Sequence, residues 1–249
     1  MANILERGNI YFAYRPKVEH ASAEGLEDIQ RFFIILSPFG KQRYRLIVIG
    51  RKKLPAIADD QERNWGFVQK VGREPEDIED DLDPVTYSTV TRGERHLSAA
   101  RPAGEGVYAI ARHDDHTHLA FALELPERPG EVQKELNIPP EGSYIITVKN
   151  PDAGSPPGVG LPDEDRAELP QRLRERFHGR RFIPVDPPEF LDREGTELVL
   201  IGADEDVFDE LGVQLDPQHE TIETAELFND LRMERTGHPL KPLFEGRWE

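Results

Sequence analysis

Apolar and polar positions alternate, or apolar residues form short runs, along most of the first 150 residues, as half-buried or buried β-strands require. Eight such segments occur, at residues 8–18, 31–38, 43–52, 65–71, 85–91, 106–113, 116–125 and 143–150. Turn residues at 39–42 and at Asp114-Asp115 predict two hairpins. We therefore expect an antiparallel barrel or sandwich of about eight strands over residues 1–150.

The last third of the chain has a different pattern. Four prolines and three glycines among residues 151–162 exclude a helix or a central strand there, and indicate either a linker or an ordered wrap. Beyond it, short helices are predicted around one strand at 196–202. Three helices are predicted to start at Pro170, after Asp186 and at Asp204. A fourth and last helix contains Ile222, Ala225, Phe228 and Leu231 and ends before Gly237. The predicted fold class is α+β, with a smaller α/β region at 163–249 packed on the first.

Composition limits the classes of protein that remain. The chain has 249 residues, 37% of them hydrophobic and 32% charged, with a net charge of -17. It lacks an apolar run of membrane-spanning length and a secretory signal, so we expect a soluble protein of the cytoplasm. Because cysteine is absent, disulfides, thiolate nucleophiles and Cys-ligated metals are excluded. The acidic excess argues against nucleic acid as a partner, and nothing in the sequence specifies an oligomeric state.

The clearest alternation in the chain lies at residues 116–125. One face of the predicted strand carries Thr117, Leu119, Phe121, Leu123 and Leu125, and the other carries His116, His118, Ala120, Ala122 and Glu124. The first set predicts a side that faces the core. The second set places two imidazole rings above small side chains, which leaves room for a ligand.

An H-x-H pair on a strand places two Cα atoms about 6.5 Å apart, close enough for one metal ion to bind both rings. Glu124 is too far along the strand to join them, so a third ligand is expected from His113, from an aspartate of the turn or from another strand. The candidate metal ligands are therefore His113, His116 and His118, and the implied cofactor is a divalent metal ion. The alternative is a polar, solvent-facing side of a hairpin.

A second candidate site precedes this hairpin, in the segment RPAGEG at residues 101–106. Glycine backbone can approach an anion closely and arginine supplies charge, so Arg101, Gly104 and Gly106 are candidate cofactor-binding residues. The segment lacks the spacing of known phosphate loops, and a simple turn is the favoured alternative.

Basic residues are concentrated in two places. The first set is Lys41, Arg43, Arg45, Arg51, Lys52 and Lys53, and the second is Arg166, Arg172, Arg174, Arg176, Arg180 and Arg181. Such clusters bind phosphate or RNA in other proteins, but pairing with the chain's own carboxylates, such as Glu168 with Arg172, is favoured here. The acidic segment at 74–83 is predicted to be a solvated connection, and Trp65 and Trp248 are interpreted as packing residues.

No catalytic motif such as G-x-S-x-G, H-E-x-x-H or S-x-x-K is present. The sequence therefore favours a non-enzymatic module that binds a protein or a small-molecule ligand. The alternative is a metal-dependent enzyme, of hydrolase or oxygenase type, with its His-x-His site on a strand. Binding of RNA or phosphate by the arginine-rich segments ranks last.

Overall fold

Eight of the strands close into an antiparallel barrel, in which each strand is hydrogen-bonded to two others. The computed structural model describes residues 2–249 apart from 58, 60, 92, 157, 219, 221–223, 232 and 234–237. The barrel strands are β1 (Asn3–Pro16), β2 (Ile29–Pro38), β3 (Tyr44–Ile49), β4 (Arg63–Gly72), β7 (Arg101–His113), β8 (His116–Leu125), β9 (Glu141–Lys149) and β11 (Glu197–Asp204). Around the barrel the order is β1, β2, β3, β4, β11, β9, β8, β7 and back to β1. The predicted barrel architecture is confirmed.

Smaller elements surround the barrel. Strands β5 (Val85–Thr89) and β6 (Gly93–Leu97) form a separate hairpin, and β10 (Phe182–Pro184) pairs with the end of β9. The helices are short: α1 (Glu76–Glu79), α2 (Glu131–Glu135), α3 (Gln171–Arg174), α4 (Val207–Leu211), α5 (Leu227–Asp230) and α6 (Lys241–Glu245). Single 3₁₀ turns occur at Leu26–Asp28, Asp163–Asp165, Glu175–Phe177 and Pro188–Asp192. No helix among the described residues is long and apolar enough to cross a membrane.

Aromatic and branched side chains fill the barrel interior. The Phe121 ring contacts both Phe12 and Tyr144, with ring centroids 4.9 Å from Phe12 and 6.0 Å from Tyr144. Apolar segments also close both ends: Val132, Leu136 and Ile138 belong to the same core at one end, and Leu173, Phe177, Phe190 and Leu191 at the other. Because the interior is packed, a ligand site has to be sought on the outer surface.

Alternation along β8 is as predicted over most of its length. Leu119 and Phe121 belong to the barrel core, whereas Ala120 lies on the outer surface beneath α4. The pattern breaks at the end of the strand, where a bulge opposite Glu105 lets Leu125 join the outer apolar cluster rather than the inner one. The predicted core-facing position of Leu125 is therefore wrong, because the bulge shifts the register by one residue.

The C-terminal region is joined to the barrel by its only predicted strand. That strand, found as β11, lies between β4 and β9 and supplies the eighth barrel strand. The segment predicted as a strand at 85–91 is a strand, β5, but it belongs to the separate hairpin and not to the barrel. The two predicted regions thus share one sheet, and residues 1–150 alone lack a strand of the barrel.

The predicted helices are present but shorter. The helix after Pro170 consists of α3 and a 3₁₀ turn that ends at Phe177, and both His178 and the predicted stop residue Gly179 have positive φ, 45° and 75°. Asp206, rather than the predicted Asp204, caps α4 by accepting a hydrogen bond from the Asp209 backbone N–H. The last helix is reduced to α5. Its predicted member Ile222, and Gly237, before which the helix is predicted to end, lie outside the described residues.

The acidic segment at residues 74–83 is packed against the barrel. Ile78 and Leu82 are buried in the outer apolar cluster, and the Arg15 guanidinium donates to the Asp81 carbonyl oxygen at 2.6 Å. The prediction of a solvated connection is wrong because two apolar residues four positions apart give this short helical segment a buried face.

Candidate functional site

The β7–β8 hairpin brings two of the predicted metal ligands together at its tip. His113 and His116 are directly opposite each other across the two strands. The His116 side chain is 54% exposed, and its Nε2 lies 3.3 Å from Asp115 Oδ1 in the adjoining turn. At this end of the hairpin the solvent-facing alternative describes His116 well.

His118 lies deeper, beneath α4. Its Nδ1 is 3.4 Å from Ser143 Oγ and 3.5 Å from Glu210 Oε1, and the Ser143 hydroxyl donates to Glu210. Burial, together with the charges of His113 and His116, lowers the pKa of His118 to about 4. A neutral His118 that makes both contacts through one ring nitrogen anchors α4 on the barrel. It does not have the geometry of a base that activates a serine, which would use its second nitrogen for the hydroxyl.

The three histidines do not converge on a point. The rings of His113 and His118 are 6.2 Å apart between centroids, and His116 is directed to Asp115. Among the residues that the structure describes, no group of three or more histidine, aspartate and glutamate side chains is arranged to hold a metal ion. The metal site at His113, His116 and His118 stays a prediction, and we do not base a function on it.

The segment at residues 101–106 is the beginning of strand β7, not a turn. The Arg101 side chain is buried, and its three guanidinium nitrogens donate to Glu249, to the Ala99 carbonyl oxygen and to the Ala21 carbonyl oxygen. Arg101 therefore fixes the C-terminal end of the chain on the barrel.

Gly104 and Gly106 also have a packing role in β7. A Cβ atom on Gly106 would lie 2.1 Å from the Ala122 carbonyl oxygen, and one on Gly104 would lie 3.0 Å from the Phe12 ring. Both glycines face neighbouring strands and the core at close range. The anion site predicted at Arg101, Gly104 and Gly106 remains untested, but each of the three has a structural partner here.

Internal pairing is confirmed for most of the basic residues. Arg45 is wholly buried and pairs with Glu6 and Asp192, and Lys41 and Arg43 pair with the same two carboxylates. In the second set, the ion pairs are Arg166 with Asp163 and Glu197, Arg172 with Glu189, and Arg174 with Asp152. The pair suggested by spacing, Glu168 with Arg172, is replaced by Glu189 as the partner of Arg172.

A cleft on the outer surface of β4 has the size of a ligand site. Its volume is about 460 Å³, and it lies between the strand and the wrap at residues 158–161. Strand alternation directs Val68 into the barrel core and Trp65 and Phe67 outward, so that both aromatic rings line the cleft. Trp65 is half-buried, and its indole packs edge-on against Phe182 with centroids 5.6 Å apart. We refer to this site as the Trp65 cleft.

A buried ion pair fixes the wall of the Trp65 cleft. Glu197 of β11 accepts from Lys149 Nζ at 2.6 Å, and both side chains are almost wholly buried. The other oxygen of Glu197 accepts from the Leu161 backbone N–H at 3.0 Å, which attaches the wrap to the sheet. The proline- and glycine-rich segment is therefore an ordered wrap here, and the cleft is a formed feature rather than a gap beside a mobile linker.

Arg63 gives the Trp65 cleft a local positive charge in an otherwise acidic protein, because the other arginine at the cleft is paired with a carboxylate. Arg51 is exposed and pairs with Glu62 at 3.1 Å. Arg63 is exposed on the same face of β4 as Trp65, and within the described part of the chain it has no carboxylate partner. Among the described residues that line the cleft, Glu197 is the only carboxylate, and Lys149 neutralises it, so an anion would be attracted here.

The sequence pattern does not reveal this site, because it predicts that Trp65 is a packing residue. The local feature that indicates the cleft is the position of Trp65 on the outward face of a predicted strand. The wrap and β11, which complete the cleft, are distant in sequence and become neighbours only when β11 enters the barrel. The other tryptophan, Trp248, is a packing residue as predicted: it is 5% exposed and contacts Tyr14 with centroids 5.2 Å apart.

Comparison of the chain with protein-family models, with curated proteins and with solved structures finds no match. Function is therefore argued from the geometry of the Trp65 cleft and its surroundings.

Proposed function

We propose that the protein is a non-enzymatic binding module whose Trp65 cleft holds a small anionic ligand with a flat apolar group. The observation that carries the proposal is the Arg63 guanidinium, which has no carboxylate partner among the described residues and lies beside the half-buried Trp65 indole in a chain with a net charge of -17. An indole offers a face on which flat groups stack, and a free guanidinium offers paired donors to carboxylate, sulfonate or phosphate oxygens.

Two further features support a ligand rather than a protein partner. The cleft volume of about 460 Å³ lies in the range of small-molecule sites. Its wall is fixed by the buried Lys149–Glu197 pair, so that a ligand would enter a site that already exists. A preformed site loses little conformational entropy on binding.

Binding of a fluorescent aromatic anion tests the proposal. The probe is anilinonaphthalene sulfonate, and the measurement is fluorescence energy transfer from Trp65 to the bound probe. A Trp248→Phe variant is used so that Trp65 is the sole tryptophan donor. Saturable transfer is expected, and Arg63→Gln should weaken the affinity about tenfold, which corresponds to ~1.4 kcal/mol.

Matched controls separate charge from apolar attraction. Arg128→Gln removes the same charge from an exposed position that does not line the cleft, and should leave the affinity unchanged. The neutral probe N-phenylnaphthylamine, which lacks the sulfonate, should bind more weakly and be insensitive to Arg63→Gln. Equal affinities for both probes, or an Arg63→Gln variant that binds as well as the wild type, would refute the proposal.

A further inference from the structure

After α4, the described residues 213–218, 220, 224–231 and 233 lie on the outer surface of the barrel, and we call them the C-terminal strap. The strap has an apolar side: Ala225, Leu227, Leu231 and Met233 are buried in the outer cluster. The same cluster contains Tyr11, Ala13, Phe33, Ile35, Leu46 and Val48 of the barrel surface, and also Ile78, Leu82 and Leu243 from other segments. The strap therefore shares with these segments the covering of an apolar sheet face.

Carboxyl groups make the polar contacts between the strap and the barrel. Glu105 of β7 accepts from the Leu227 backbone N–H at 3.0 Å, and Glu124 of β8 accepts from the Gln218 backbone N–H at 2.6 Å. These two contacts come from the barrel side, and each holds the strap by a backbone group.

The strap contributes carboxyl groups of its own to the same interface. Asp230 accepts from the Tyr11 hydroxyl at 2.7 Å, and Glu226 accepts from the Asn9 side chain. Glu220 accepts from the Glu226 backbone N–H at 3.1 Å. Five carboxyl groups thus share one interface: Glu105, Glu124, Glu220, Glu226 and Asp230.

Positive charge does not balance this interface within the described residues. The groups that face it are the five carboxyls, the Tyr11 hydroxyl of β1, the Tyr44 hydroxyl of β3, and Arg7, which donates to the Gln214 carbonyl oxygen at 3.0 Å. Glu105 is 1% exposed, and its Oε2 accepts no hydrogen bond from an N–H or hydroxyl group of the described residues. Burying a carboxylate away from any cation costs much free energy, whereas burying the neutral, protonated carboxyl costs far less.

The energetic cost appears as raised pKa values. Burial, and then the charge of Glu220, raises the pKa of Glu105 well above its usual range. Burial and the charges of Glu220 and Glu226 raise the pKa of Glu124 to about 7, although the hydrogen bond from Gln218 acts in the opposite direction. Since a lifted strap leaves both groups in water with ordinary pKa values, lifting it releases protons and becomes easier as the pH rises.

We propose that the C-terminal strap is a pH-responsive cover, held on the barrel while Glu105 and Glu124 are protonated and loosened when they ionise. Loosening uncovers the part of the apolar face of β1, β2 and β3 that the strap covers. The Trp65 cleft lies on β4 and β11 and shares no residue with the strap, but its Phe67 also packs against the outer cluster.

Hydrogen exchange measured by mass spectrometry tests the cover on the full chain. Exchange in peptides from residues 213–233 is compared at about pH 5.5 and about pH 8.5, with labelling times scaled for the intrinsic rate, and strand β2 serves as an internal reference. Protection of the strap should fall at least about tenfold over this range, while protection of β2 stays constant.

Isosteric glutamine variants show whether the loss of strap protection comes from ionisation of Glu105 and Glu124. Glu105→Gln combined with Glu124→Gln mimics the protonated state, so strap protection should no longer depend on pH. Glu24→Gln makes the same change at an exposed position and should keep the wild-type response. If the double variant does not fold, Glu124→Gln alone should reduce the response. Strap protection that is constant with pH in the wild type, or an undiminished response in the glutamine variants, would overturn the proposal.

Discussion

Arg45 shows how this barrel accommodates a charge in its interior. Its guanidinium donates to both oxygens of Glu6 and to Asp192, at 3.0 Å for the Nη2–Oε2 contact and 2.8 Å for the Nε–Oδ1 contact. Tyr108 donates to Glu6 as well, at 2.9 Å. Burial alone would raise the pKa of Glu6, but the hydrogen bonds and charges of Arg45 and Lys41 outweigh it and hold the pKa below its usual value.

Removing Glu6 should therefore be strongly destabilising. Glu6→Ala leaves the Arg45 charge buried without its bidentate partner, and we expect a loss of about 3–5 kcal/mol in the free energy of unfolding, measured by urea denaturation. Lys41→Ala, which removes a 53% exposed partner of the same carboxylate, should cost less than about 1 kcal/mol. Equal effects of the two variants would contradict the network.

The pH dependence of this contribution has a definite sign. Because the pKa of Glu6 is lowered in the folded state, its stabilisation is present above the ordinary pKa of a glutamate and is lost as the pH falls through the folded value. The strap carboxyls act in the opposite sense, since their raised pKa values make the strap contact weaken as the pH rises.

Among the strands, close approach of backbones decides where glycine is needed. Gly106 lies opposite Leu123, and the strands are so close there that a Cβ atom would lie 2.1 Å from the Ala122 carbonyl oxygen. Gly154, by contrast, has no atom within 4 Å of the position a Cβ would take.

Alanine substitution should separate these two glycines. Gly106→Ala forces β7 and β8 apart at the bulge, and we expect a loss of at least about 2 kcal/mol in unfolding free energy, the scale of a core overpacking defect. Gly154→Ala should change stability by less than about 0.5 kcal/mol. Thermal and urea unfolding of both variants measure the difference. A Gly106→Ala protein as stable as the wild type would show that the strand spacing is not limiting.

Strand positions could be predicted from sequence because alternation is a local property. The pattern at residues 116–125 predicts the correct faces as far as Glu124 and fails at Leu125, where the bulge depends on the partner strand. Gly104 and Gly106 were interpreted as a turn because composition does not distinguish a flexible residue from one required for close packing. The place of β11 was not predictable, since strand order is set by contacts distant in sequence.

The same limit applied to the candidate sites. The two imidazoles of the predicted strand do share its outer face, but His118 is covered by α4 and His116 is not, which no pattern near them specifies. The Trp65 cleft requires β4, β11 and the wrap together, so it could be found only from the folded chain.

Closure of the barrel makes the two halves of the chain interdependent. β11 hydrogen-bonds to β4 on one side and to β9 on the other, and the segment at 163–196 closes one end of the core. A chain truncated after Asn150 would expose two strand edges and one end of the interior.

We therefore expect the truncated chain not to form the closed barrel. Its urea unfolding should lack a cooperative transition, and its near-ultraviolet circular dichroism should lose the signal of packed aromatic rings. The full-length chain under the same conditions is the control. A cooperative transition in the truncated chain would mean that residues 1–150 form an independent domain.

If an anion binds beside Trp65, the indole N–H resonances of the two tryptophans will report it. In a heteronuclear NMR titration with anilinonaphthalene sulfonate, the Trp65 resonance should shift saturably while that of the buried Trp248 stays in place. In Arg63→Gln the same shift should require about ten times more probe. If the Trp65 resonance does not move, or if Arg63→Gln leaves the titration unchanged, the anion does not bind beside Trp65 through Arg63.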